Sequence, residues 1–199
     1  MVDKCNVLIS GSFDGVHRGH VIFVIRSIFT ASRILECPVE KVKLYALVMD
    51  EKKVYKTKGR IIQDNYSKYL SLNNLNLIDK ITFIDGSVSK MLGDFVREND
   101  IKLIVRNKDQ NGSKFINSIN YCIKKFNTKE YVIKNREGGH ISSTKIYNTM
   151  VASKIDFNEA KRLIERRSWY LSFETRKLMR KSIAYGITNT NLLMSTTLI

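Results

Sequence analysis

The stretch ISGSFDGVHRGHVIFVI (residues 9–25) contains the change of pattern on which the fold depends. It begins in a short apolar run, passes through three glycines and continues into apolar residues at helical spacing. Two of the protein's three histidines, His17 and His20, flank Gly19, where the helix is predicted to begin. A strand that turns into a helix through glycines is typical of the ligand-binding edge of an α/β sheet.

The same two patterns alternate along the chain. Five β-rich runs lie at Val7–Ser10, Val42–Val48, Ile81–Ile84, Lys102–Arg106 and Glu130–Lys134. Between them, apolar residues recur at helical spacing in four groups: Ile22, Ile25, Ile28 and Phe29; Ile61, Ile62, Tyr66, Tyr69 and Leu70; Met91, Leu92, Phe95 and Val96; and Phe115, Ile119, Cys122 and Ile123. Strands alternating with helices predict an α/β fold, a Rossmann-like parallel five-stranded sheet with helices on both faces.

The pattern changes after about residue 154. The remaining sequence has no strand-like run and is typical of two amphipathic helices followed by an uncharged tail. We therefore predict an α/β domain over residues 1–155 and a helical extension with a tail over residues 156–199. The extension is also a candidate for oligomerisation, and we expect a homo-oligomer.

Composition narrows the class of protein. A chain of 199 residues with 43% hydrophobic content can bury one sizeable core, and no apolar run of about 18 residues is present to span a membrane. The amino terminus is charged early and resembles no secretory signal. Cys5, Cys37 and Cys122 are odd in number and scattered, so we expect reduced thiols, no protein-held metal site and a cytoplasmic location.

The net charge is +15, and basic residues are densest at Lys52–Arg60 and Lys161–Lys181. A basic chain attracts polyanions, so nucleotides, nucleic acid and acidic membranes are candidate partners. An ordinary solvated basic surface accounts for the same charge about equally well. Nucleic acid is therefore possible as a partner but not favoured.

Three stretches are expected to meet at the carboxyl ends of the strands: residues 10–20, 105–109 and 136–146. Histidines three apart on a helix share one face, and a helix start attracts phosphate, so His17 and His20 are candidates to bind and stabilise a phosphoryl group. Arg106 ends a strand at this edge, and Ser142, Ser143 and Thr144 follow the fifth strand. The alternative is that these polar residues only cap helices or contact the core.

The segments GSFDGVHRGH and HISSTKI resemble the first and second signatures of the HIGH-type nucleotidyltransferases. Residues 94–127 resemble a further segment of phosphopantetheine adenylyltransferase, and the likeness extends over residues 5–153. The resemblance implies transfer of a nucleoside monophosphate from ATP or CTP to a phosphate monoester, with release of pyrophosphate. It also implies Mg²⁺ that arrives with the nucleotide.

The resemblance implies a role for each matching residue. His17 and His20 bind the triphosphate, and His20 stabilises the transition state. One of Lys52 and Lys53, in the loop after the second strand, bridges the acceptor and the α-phosphate, and Lys53 is our catalytic candidate beside Arg106. The implied nucleotide-binding set is Gly11, Ser12, Phe13, Asp14, Gly19, Lys52, Ser142, Ser143 and Thr144.

The segment VRNKD departs from the adenylyltransferase pattern LVRGLR. Asn107 replaces a glycine and Asp109 stands in the place of a second arginine, which argues against phosphopantetheine as the acceptor. NREGGHISST partly resembles the signature of glycerol-3-phosphate cytidylyltransferase, so ATP and CTP both remain open, with a slight preference for adenylyl transfer. The alternative function is a catalytically inactive nucleotide- or nucleic-acid-binding protein of the same fold.

Overall fold

The computed structural model describes residues 5–85 and 88–133. Five strands run in chain order: β1 (Cys5–Gly11), β2 (Val42–Met49), β3 (Lys80–Ile84), β4 (Leu103–Asn107) and β5 (Lys129–Ile133). The helices are α1 (Arg18–Ile34), α2 (Glu51–Lys58), α3 (Asn65–Asn73), α4 (Val88–Glu98) and α5 (Ser113–Phe126). A short 3-10 turn at Val39–Lys41 leads into β2.

All the described strands are parallel and lie in the order β3-β2-β1-β4-β5. The central strand β1 pairs with β2, with Cys5 opposite Val42, and with β4, with Val7 opposite Leu103. Strand order reverses between β1 and β4, which is the position where open α/β sheets bind their ligands. The predicted α/β class and parallel five-stranded sheet are confirmed. The predicted boundary at residue 155 and the helical extension lie outside the described residues.

Side chains of β1 alternate between two hydrophobic cores. Val7 and Ile9 pack with α1 on one face of the sheet, and Leu8 packs with α4 and α5 on the other. The predicted apolar faces of α1, α4 and α5 contribute to these cores, so helices cover both faces as expected. Burial of these aliphatic side chains, each worth about 1.5–3 kcal/mol, makes the sheet a rigid base for the loops at its carboxyl edge.

The basic segment after β2 is a helix and not the loop that we expected. Asp50 caps α2 by accepting a hydrogen bond from the N–H of Lys52, and Gly59 ends the helix in the left-handed conformation (φ 67°). The buried residue of this helix is Val54. A helix of two turns with one buried residue shows no repeat of apolar residues in the sequence. Its limits are instead set by the capping residues Asp50 and Gly59.

The prediction for α3 is wrong about which face is buried. Tyr66 is 71% exposed, and Tyr69 and Leu70 are exposed as well. The inward face instead carries Ser67, Lys68, Ser71 and Leu72. Polar partners explain this orientation, because the side chain of Gln63 donates to Ser71 Oγ and Lys68 Nζ donates to the carbonyl of Met49.

Cys5 and Cys37 form a disulfide, so the expectation of reduced thiols is wrong for this pair, and Cys122 is free and buried. The fold brings the start of β1 beside the segment that follows α1, and sequence spacing alone does not reveal that contact. The cysteines therefore give no support to the expected cytoplasmic location. In the part of the chain that the structure describes, no helix is long and apolar enough to cross a membrane.

The disulfide closes a loop across 32 residues. Because a closed loop lowers the entropy of the unfolded chain, we expect Cys5→Ser to lower the free energy of unfolding by about 3 kcal/mol under oxidising conditions. Urea denaturation with and without dithiothreitol measures the effect. Reductant should destabilise the wild type and leave Cys5→Ser unchanged, and equal wild-type curves in both conditions would contradict the assignment.

Candidate functional site

The loop after β1 is shaped by unusual backbone conformations at the switch point of the sheet. Phe13 has φ 44° and Gly15 has φ 71°, both in the left-handed region. A Cβ atom on Gly15 would lie 3.2 Å from Ile62, and one on Gly11 would lie 3.1 Å from the ring of Phe13. Gly11 and Gly15 therefore let the loop close on itself, which is a structural reason for two positions of the motif.

Asp14 fastens this loop to the segment before α3. Its buried carboxylate accepts hydrogen bonds through Oδ1 from the N–H groups of Ile62 (2.8 Å) and Gln63 (3.0 Å). Gln63 returns the contact, because its side-chain oxygen accepts from the N–H of Val16 at 3.0 Å. Asp14 thus lies in the predicted site but acts as a buried clamp, and Gln63 is a partner that sequence reasoning missed.

His17 and His20 cap helix α1 with their own side chains. The N–H of Gly19 donates to His17 Nδ1 at 3.1 Å, and the N–H of His17 donates to His20 Nδ1 at 3.4 Å. This is a capping box built from imidazoles, with His17 at the N-cap and His20 at the third helical position. Because each Nδ1 is an acceptor, the proton of each neutral ring lies on Nε2, which is then a hydrogen-bond donor.

Three aromatic rings lie in series at the helix start. The rings of His17 and His20 are stacked with centroids 4.0 Å apart, and Phe13 lies 5.1 Å from His20. Burial, and to a lesser extent the cost of placing a second positive charge beside His17 and Lys58, hold the pKa of His20 well below its ordinary value of 6.5. His20 is therefore neutral at physiological pH and keeps both its cap contact and its Nε2 donor.

Lys58 is the lysine that the structure places against the motif. Its Nζ donates to Ser12 Oγ at 3.0 Å from the carboxyl end of α2. Partial burial lowers the pKa of Lys58, the charge of Asp14 opposes that shift and the charge of Arg60 adds to it. The basic segment after β2 was identified from the sequence, but only the three-dimensional path of α2 distinguishes Lys58 from its neighbours.

The two predicted lysines lie at the other end of the same helix. Lys52 is exposed in the first turn, where its backbone N–H donates to the Asp50 cap. Lys53 is half-buried, and its carbonyl accepts from the hydroxyl of Thr57. These hydrogen bonds lie within α2 and its cap, whereas that of Lys58 reaches Ser12.

Arg106 lies at the carboxyl end of β4 as predicted, but its guanidinium is engaged in the protein. Its Nε forms an ion pair with Glu130 of β5, and Nη1 donates to the carbonyl of Gln110 at 3.2 Å. Gln110 also joins the ends of two strands, because it donates to Ser10 O and accepts from the N–H of Asn107. The segment VRNKD is therefore held at the switch point, and these contacts give Arg106 a structural role in the ligand-free chain.

The segment HISSTKI, with Ser142, Ser143 and Thr144, lies outside the described residues. Within the described ranges 5–85 and 88–133, no group of three or more His, Cys, Asp or Glu side chains is placed to hold a metal ion. What these ranges do bring together is the start of α1, two imidazoles, Ser12 and Lys58. Helix N–H groups, Nε2 donors and an ammonium are groups that bind phosphate.

The lowered pKa of His20 predicts a pH-dependent stability. The folded pKa lies below the unfolded value of about 6.5, so the stabilisation is present above pH 6.5 and is lost as the pH falls toward the folded pKa. We expect the free energy of unfolding to fall as the pH is lowered from 7 to 5.5, measured by urea denaturation, with the His20 titration followed by NMR.

The control is His20→Gln, because glutamine can also accept at the third position of a capping box but does not titrate. This variant should lose part of the pH dependence while it keeps the helix. A His20 resonance that titrates at or above 6.5 would contradict the assignment of a neutral imidazole.

Comparisons with known proteins add little to this geometry. No family model matches the chain, and no curated protein gives a significant match. Among solved structures, the chain is similar to the lipopolysaccharide core biosynthesis protein from Thermoplasma volcanium GSS1, at 21% identity over 65% of this chain and 96% of that chain, with a TM-score of 0.49. A likeness at this level assigns no activity to this chain.

Proposed function

We propose that the protein is a nucleotidyltransferase, which moves a nucleoside monophosphate from ATP or CTP to a phosphate-monoester acceptor and releases pyrophosphate. The observation that best supports this function is the start of α1 at the switch point of the sheet. There, His17 and His20 each accept a hydrogen bond from a backbone N–H through Nδ1. That arrangement keeps both Nε2–H groups directed away from the helix caps and suited to phosphoryl oxygens. The resemblance of GSFDGVHRGH to the HIGH-type signature supplies the reaction type.

In the proposed reaction, a phosphate oxygen of the acceptor attacks the α-phosphorus in line with the bond to the β-phosphate. A P–O bond forms to the acceptor, the bond to the bridging oxygen breaks, and pyrophosphate leaves with that electron pair. No covalent enzyme intermediate is needed, so the protein contributes positioning and charge stabilisation. Mg²⁺ bound to the triphosphate would neutralise part of its charge.

The roles of the residues in this proposal come from the resemblance, and the geometry adds Lys58. His20 donates from Nε2 to the phosphoryl group that gains charge in the transition state, and His17 binds the triphosphate beside it. Ser12 and the N–H of Phe13 bind the α-phosphate, and Lys58 reaches it from the contact that it makes with Ser12. From the resemblance, Ser142, Ser143 and Thr144 hold the β- and γ-phosphates, and Arg106 remains a catalytic candidate. We keep the slight preference for an adenylyl donor and the expected homo-oligomer as parts of the proposal.

The proposal is tested by pyrophosphate release, with ATP, CTP and GTP each combined with a panel of phosphorylated acceptors. For a productive pair, His20→Ala should lower kcat by about two to four powers of ten because it removes transition-state stabilisation. Circular dichroism should show an intact fold, and His20→Gln keeps an acceptor for the helix cap, so a loss of turnover in this variant does not come from an uncapped helix. An absence of turnover with every pair, together with salt-sensitive binding to DNA or RNA, would favour the inactive-binder alternative.

A second test distinguishes the lysines of α2. We expect Lys58→Ala to lower kcat/KM by about ten- to a thousandfold, because its ammonium is the one held at Ser12. Lys52→Ala and Lys53→Ala should have smaller effects, and Lys56→Ala, exposed on the same helix, is the matched control. If Lys53→Ala shows the largest loss, the assignment from the resemblance is right and the assignment of Lys58 is wrong.

A further inference from the structure

Lys68 is a lysine with no exposed surface, on the inward face of α3. The hydrogen bond of its ammonium goes from Nζ to the carbonyl of Met49 at 3.2 Å. One neutral acceptor does not compensate for the removal of an ammonium from water, so a buried lysine requires negative charge nearby. The proposed reaction gives Lys68 no role.

Three carboxylates supply that charge, and two of them have other tasks. Asp50 accepts from Lys52 N–H and from the side chain of Asn65, and Glu51 accepts from the N–H of Asn65. These contacts join the first turns of α2 and α3. The third carboxylate is Asp14, whose charge acts on Lys68 as those of Asp50 and Glu51 do.

Asp14 has one carboxylate oxygen, Oδ2, whose surroundings need explanation. Its Oδ1 accepts two backbone N–H groups, but its buried Oδ2 has no hydrogen-bond partner. A buried carboxylate oxygen without a hydrogen bond depends on nearby positive charge for its stability. Two lysines provide it, since the charge of Asp14 acts on both Lys58 and Lys68.

We propose that Lys68 is a positioning residue, which neutralises Asp14 from the α3 side and so leaves the ammonium of Lys58 available at Ser12 for a phosphate. This inference rests on the proposed function and deepens it, because it assigns the control of Lys58 to a residue outside the signature motifs. Lys68 touches no reacting atom in this proposal and acts through Asp14.

The physical reason is the loss of one positive charge beside three carboxylates. With Lys68 present, its ammonium offsets part of the charge of Asp14, Asp50 and Glu51. Without Lys68, the surroundings of Lys58 become more negative, so Asp14 stabilises the ammonium of Lys58 more strongly and the attraction for an anionic ligand at Ser12 weakens. The other charged groups that act here are Arg60, which lowers the pKa of Lys58, and Lys58 itself, which lowers the pKa of His20 and of Lys68.

The test follows the amine of Lys58 in the ligand-free protein by competitive acetylation and mass spectrometry across pH. Lys68→Met keeps the length of the side chain without its charge. We expect this variant to lower the reactivity of Lys58 at pH 8 by about threefold or more, because Asp14 then stabilises the ammonium of Lys58 alone. Lys124→Met, at an exposed position of α5, is the control for the same loss of net charge.

The double variant Lys68→Met with Asp14→Asn separates charge from packing. Asparagine can still accept the hydrogen bonds of Ile62 and Gln63, so we expect the reactivity of Lys58 to return toward the wild-type value. The affinity for ATP or CTP, measured by equilibrium dialysis, should fall by about threefold or more in Lys68→Met, with no comparable change in Lys124→Met.

Unchanged reactivity of Lys58 in a folded Lys68→Met variant would overturn the proposal. If that variant does not fold, Lys68→Gln replaces it, because its amide has no charge but can still donate to the carbonyl of Met49. Unchanged reactivity of Lys58 in Lys68→Gln would overturn the proposal in the same way. A shift in reactivity without any nucleotide turnover by the wild type would support the charge arrangement and overturn the proposed function. The two ideas can therefore fail separately.

Discussion

The buried carboxylate of Asp14 is the constraint on which the candidate site depends. Its two hydrogen bonds to Ile62 and Gln63 join the loop after β1 to the chain that leaves α2, and Gln63 makes the return contact to Val16. The start of α1 and the end of α2 are thereby fixed relative to each other. Without that connection Lys58 would be one of several lysines on a surface helix, and its contact with Ser12 would have no reason to persist.

The two histidines show how one side chain can serve both the fold and the chemistry. Each uses Nδ1 to accept a backbone N–H of the first turn, which satisfies donors that a helix start otherwise leaves unpaired. The same contact fixes the tautomer, so Nε2 is a donor in both rings. The structural explanation of the motif and the functional explanation are therefore compatible, and replacing a histidine affects both unless the substitute keeps the cap.

Elements with a regular spacing of apolar residues could be predicted from the sequence. Features that depend on contacts between residues far apart in the sequence could not. The five strands and the inward faces of α1, α4 and α5 follow from apolar spacing because these elements bury wide apolar surfaces. The helix α2 buries Val54, and the inward face of α3 is largely polar. The spacing of apolar residues therefore did not reveal α2 and indicated the wrong buried face for α3. The Cys5–Cys37 disulfide and the Arg106–Glu130 ion pair join residues whose proximity only the sheet creates. In the site, His17, His20 and Ser12 came from the motif, whereas Lys58, Gln63 and Lys68 required the structure.

These observations change the meaning of the basic composition. A net charge of +15 attracts any polyanion and does not distinguish a nucleotide from nucleic acid. The local arrangement is more informative, because a negative charge at the floor of a phosphate site would repel the ligand unless positive charge outweighs it. In the proposed site Asp14 is such a charge, and its clamp to Ile62 and Gln63 makes it structurally necessary. In our proposal a lysine on each side, Lys58 at Ser12 and Lys68 buried behind, lets this carboxylate hold the loop while the site still attracts an anion.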